Sequence, residues 1–214
     1  MTPQTPRFHP ASGFSLIEMS IMLAVVGTIL VSGIQAIQAQ LHKSRFEAAQ
    51  KQLRDIQSAL LGFIQLNNRL PCPDTDFDGD AETSPCASPE GQLPWRDLQL
   101  SPLDPWGHLY TYRVTSAWTS SNITDGVGNG NITIQDANGN NLATQIPMVV
   151  LSHGRNGFGA MPLNGGTPLP APTLPAELEN TTPNGIFQFG GDDLMTWLPP
   201  DVIRYHAFRS RYTP

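Results

Sequence analysis

Four aspartates alternate with single residues in the run Asp74-Thr75-Asp76-Phe77-Asp78-Gly79-Asp80. Calcium takes about six to eight hard oxygens, several of them carboxylates supplied by one loop. Alternating acids with a glycine at the sixth position follow the spacing of an EF-hand loop. The twelfth position here is Pro85, not a bidentate glutamate, which leaves Glu82 to help in a different geometry. Asp74, Asp76, Asp78 and Asp80 are therefore candidate calcium ligands. The same residues also suit a solvated acidic turn, because Asp and Gly favour turns. Cys72 and Cys86, the only two cysteines, bracket the run. In an exported domain such a pair reads as a disulfide, in a cytosolic one as two thiols. Closing a loop of this size is worth ~3 kcal/mol in the chain-entropy account.

A second residue with chemical consequence is Glu18, the only charge between Phe14 and Leu41. A carboxylate inside hydrocarbon is expensive and marks function, with a partner to be found. Signatures of catalysis are missing. No G-x-S-x-G, H-E-x-x-H or P-loop pattern occurs,. Ser152 and His153 are adjacent, which does not place an imidazole to activate that hydroxyl. Gly126, Gly128 and Gly130 lack the strand-to-helix setting of a dinucleotide site. The histidines do not combine with the cysteines in a zinc spacing. The chain is expected not to be an enzyme.

These residues need elements to hold them. The run 14–41 is long enough to span a bilayer, which takes ~20 apolar residues. Before it lies a polar leader, residues 1–13, with one arginine, Arg7, on the side that the positive-inside rule makes cytoplasmic,. A secretory signal would place its small cleavage residue after the apolar core; here Gly13 precedes it. From residue 42 to 67 the pattern turns amphipathic, with Phe46, Ala49, Leu53, Ile56, Leu60 and Phe63 on one face,. No proline interrupts residues 14–67, so one helix is expected, ended by Asn67-Asn68 and Pro71. Its second half requires a partner layer on one side.

The leader and helix resemble those of type IV pilins and type II secretion pseudopilins. The matching residues are Gly13, Phe14, Ser15, Leu16, Ile17 and Glu18, with Gly27 further along. The resemblance implies that a prepilin peptidase cuts after Gly13 and that the new first residue, Phe14, is N-methylated. It also implies a chain held in the bacterial inner membrane, its C-terminal domain in the periplasm, that polymerises with other pilin or pseudopilin subunits. Glu18 then pairs with the free amine of Phe14 on a neighbouring subunit, which gives registry more than stability.

The remainder, residues 68–214, is rich in Gly and Pro and reads as a periplasmic β-rich domain,. Candidate strands are Leu109–Val114, Asn131–Gln135, Pro147–Ser152, Ile186–Phe189 and Val202–Phe208. Asn-Gly pairs beginning at Asn129, Asn138, Asn156, Asn164 and Asn184 mark turns. The run from Pro162 to Pro175 reads as an extended loop. The expected class is α+β, a long N-terminal helix packed by its C-terminal half on a small antiparallel sheet. Asp104-Pro105-Trp106-Gly107, followed by Tyr110 and Tyr112, resembles a segment of the major pseudopilin. Val150 to Gly154, leading to Asp192, Asp193 and Trp197, resembles that family's calcium loop, which implies calcium at Asp192 and Asp193 with backbone oxygens near Ser152. On the residues alone, the acidic pair also reads as a turn or a helix N-terminus. A net charge of -6 without a basic cluster after Arg54 speaks against nucleic acid as partner,.

Overall fold

The computed structural model describes residues 13, 15–120, 123, 127–163, 165–170, 180 and 184–209, with residues 31–36 described as backbone only. Phe14, the leader up to residue 12, the Asn164 position and the end of the Pro162–Pro175 run from residue 171 lie outside the described residues. The chain divides into two units, Met1–Ser44 and Arg45–Pro214. Helix α1, Leu16–Asn67, contributes to both.

In the first unit the helix carries its apolar side chains outward. Leu16, Ile17, Ile21, Leu23, Ile29 and Leu30 are all more than half exposed. Ser20 and Thr28 donate their hydroxyls back to the carbonyls of Ile17 and Val25, which quiets the polar groups on this surface,. Glu18 sits in the first turn, where the helix dipole favours an acid,. Among the described residues no helix is long and apolar enough to cross a membrane. Leu16–Leu30, the apolar stretch with described side chains, is shorter than the ~20 residues that a crossing needs,.

In the second unit the helix buries Ala49, Leu53, Ile56, Leu60 and Ile64. The last member corrects the sequence reading: Ile64 rather than Phe63 completes the stripe, because a step of four from Leu60 stays on the face. Phe63 lies half-buried beside it, with the Arg69 guanidinium 5.5 Å from its ring centre. Phe46 is 44% exposed and outside the stripe. The helix stops where Asn68 enters the left-handed region at φ 52° and donates its N–H to Ile64 O at 2.8 Å,.

Among the described residues seven strands follow: β1 Glu90–Gln92, β2 Thr111–Val114, β3 Ile132–Gln135, β4 Asn141–Ile146, β5 Met148–Ser152, β6 Ile186–Gln188 and β7 Leu194–Leu198. They form an antiparallel sheet in the order β1-β2-β5-β7 and a second sheet in the order β4-β3-β6. The second sheet departs from expectation, since β3 and β6 run parallel. Strand β5 separates two apolar clusters. Met148 and Val150 join Leu53, Ile56, Leu60, Tyr112 and Trp118 on one side. Val149 and Leu151 join Ile132, Ile134, Ile146 and Phe187 on the other. Burial on both faces is why this strand reads as an unbroken apolar run instead of an alternating one.

Val202–Phe208 is not a strand but part of helix α2, Pro200–Arg209. Pro200 supplies the fixed φ that suits a first helical position. Ile203 and Ala207, four apart, bury while Tyr205 between them is exposed, which fits a helix and not a strand, where all three would share a face. Leu194 to Trp197, one reading of which was a helix start, pairs with β5 as β7.

Candidate functional site

Residues 72–86 form a loop closed by a Cys72–Cys86 disulfide. Its first acid, Asp74, is 1% exposed and tied into the sheet, exchanging backbone hydrogen bonds with Gln92 at 2.9 and 2.7 Å. The Asp74 carboxylate accepts from Phe77 N at 2.7 Å and from Gly79 N at 2.8 Å. Burial pushes its pKa up against the pull of these two N–H donors, and the nearby carboxylates of Asp78 and Asp76 push the same way,. Asp76 and Asp78 are exposed and accept from Asp78 N and Asp80 N respectively.

Of the four alternating acids, the structure gathers three. Carboxylate oxygens of Asp74, Asp76 and Asp78 lie within 4.8 Å of one another, the only such cluster of three or more acidic, His or Cys residues among the described residues. Asp80 turns to the Arg96 guanidinium, 3.7 Å away. Glu82 accepts the hydroxyl of Thr75 at 2.5 Å. Gly79, at φ 90°, has no room for a Cβ because the Trp95 ring packs against it,. Beside the loop lies a cavity of about 310 Å³ whose walls include Asp74, Thr75, Phe77, Glu90, Gln92 and His153.

Asp192 and Asp193 are held apart in their bonding. Asp192 accepts from Asn156 N at 2.9 Å and from its side-chain amide at 2.8 Å. Asp193, 5% exposed, accepts from Asn180 at 2.7 Å. Gly154 packs on the Asp192 carbonyl. Both acids fasten surrounding loops to the start of β7.

The Asp104–Gly107 string has a structural explanation. Asp104 Oδ1 accepts from Trp106 N and His108 N, each at 2.9 Å, and Gly107 takes φ 94° to let the chain reverse. Its other oxygen accepts the buried hydroxyl of Ser152 at 2.6 Å. One carboxylate thus clamps the turn before β2 to the end of β5. Its neighbour His153 is 1% exposed, bonds to Thr111 Oγ1 at 2.9 Å, and is pushed by burial to a pKa of about 4. Ser152 therefore points to Asp104 and not to a histidine, an arrangement that holds strands together and leaves no activated nucleophile. The sequence singled out Asp104 as part of a string but gave no sign of Ser152 as its partner, because the pair is separated by 48 positions. Gln92 carried no signal either.

Residues 36–140 match the family model described as type II secretion system (T2SS), protein G. The match takes in the later part of α1, the disulfide loop and the Asp104 turn, just under half of the chain. No curated protein matches the chain, and neither does any solved structure.

Proposed function

We propose that this chain, a type IV pilin-like protein of the pseudopilin kind, is a structural subunit of a periplasmic type II secretion filament. Its role is mechanical and not catalytic. The carrying observation is the match to protein G over residues 36–140, joined to a helix that starts at Leu16 and keeps its apolar side chains exposed. Such a surface is stable only against lipid or against other helices.

In this reading prepilin peptidase cuts after Gly13, Phe14 is N-methylated, and residues 14–41 hold the subunit in the inner membrane until assembly. Glu18 of one subunit then meets the Phe14 amine of the next. Leaving that acid unpaired within an apolar bundle would cost more than the pair gains, so the contact selects register. A minor type IV pilin acting at a tip as an adhesin is the second reading, favoured by the disulfide loop and the cavity beside it. The test is co-expression with a prepilin peptidase and a secretion assembly. Intact mass of the purified subunit should give a start at N-methyl-Phe14, and cross-linking should give a ladder of multimers that Glu18→Ala shortens. A start at Met1, or loss of the whole apolar run, would reject the proposal. Assembly only with pilus components would favour the tip pilin.

A further inference from the structure

We propose that the disulfide-closed loop is a calcium site whose carboxylate ligands are Asp74, Asp76 and Asp78, with the Gln92 amide as the neutral oxygen on its buried side. Acids alternating along a turn would not by themselves make one. The second observation is Gln92. It is 5% exposed, and its Oε1 is buried with no donor among the described residues. An orphaned buried acceptor is costly to the fold unless something meets it. Gln92 stands directly opposite Asp74 in an antiparallel bridge, and residues so opposed project to the same side. Both line the same cavity. The orphan is thus an amide carbonyl on the side of the buried carboxylate, and carboxylates with amide oxygens are the donors that calcium selects.

Charge points the same way. Oxygens within 4.8 Å of one another match the reach of one cation with ligands at about 2.4 Å,. Among the described residues, no ion pair engages Asp74, Asp76 or Asp78, while Asp80 has Arg96. Three carboxylates held together repel, and a divalent ion reverses that repulsion. Backbone ties and the disulfide hold the loop in place beforehand, so little ordering entropy opposes binding,.

Trp95, packed on Gly79 of the loop, is a built-in reporter. Terbium, a luminescent stand-in for calcium, should be sensitised by tryptophan excitation in the detergent-solubilised full chain, and calcium should quench the signal by competition. Exposed Asp76 and Asp78 can be changed with little risk to the fold, which circular dichroism verifies. Asp76→Asn with Asp78→Asn should weaken binding at least about tenfold, from the lost ligand charge, whereas Asp192→Asn should leave it unchanged. Absence of sensitised emission from the unaltered protein would overturn the proposal, as would emission that survives the double substitution or disappears with Asp192→Asn. None of these readouts depends on processing or filament formation, so this site and the filament role stand or fall separately.

Discussion

At the scale of single residues, the legible positions were those whose chemistry is out of place. Glu18 stood out as an acid in an apolar run, and Asp74, Asp76 and Asp78 as acids in a strict alternation. What stayed hidden were partners distant in sequence: Ser152 on Asp104, and Gln92 opposite Asp74. A side chain's bonding depends on which strand ends the fold brings together, and no local pattern carries that. His153 yields a prediction. Burial lowers its pKa from 6.5 to about 4, so the folded state prefers the neutral ring. The contribution to stability is complete above about pH 6.5 and is lost as pH falls through 4, on the order of 3 kcal/mol in all,. Urea midpoints measured across that range should show His153→Gln flattening the slope. An unchanged slope would mean that other groups carry the acid sensitivity.

At the scale of elements, α1 was read correctly because its apolar period is sustained and no proline enters it. The short elements were harder. β1 and β4 have no apolar alternation; they are held by register with β2 and β3. The segment Val202–Phe208 mixes both periods, and the burial of Ile203 and Ala207 with Tyr205 left exposed between them decides for a helix,. Disulfide closure was read from the cysteine pair together with the expectation of an exported domain, and Cys72 and Cys86 are joined,. The buried stripe on α1 sets the second prediction. Leu60 is 0% exposed within the main cluster, and Leu60→Ala should cost about 2–5 kcal/mol through the cavity that it leaves,. Phe46→Ala, at a 44% exposed position, should cost under about 1 kcal/mol,. Denaturant melts of both variants check this, and equal losses would contradict the packing described.

At the scale of the molecule, the sequence was most informative where a fold has least to say. The Gly13–Glu18 segment lies ahead of the matched residues 36–140, and its meaning rests on residue order alone. The fold of the later unit was legible only as a class, since strand pairing joins residues far apart. β5 has a strand on each edge and an apolar cluster on each face, so its amides see water only when the flanking structure has been dismantled. In native-state hydrogen exchange, the amides of Val149 to Leu151 should therefore be the last to acquire deuterium, and at the same rate as one another. Faster exchange there than in β3 would show that the two halves melt independently. A force applied at either face would otherwise be shared through this strand, an element that both apolar clusters hold in common.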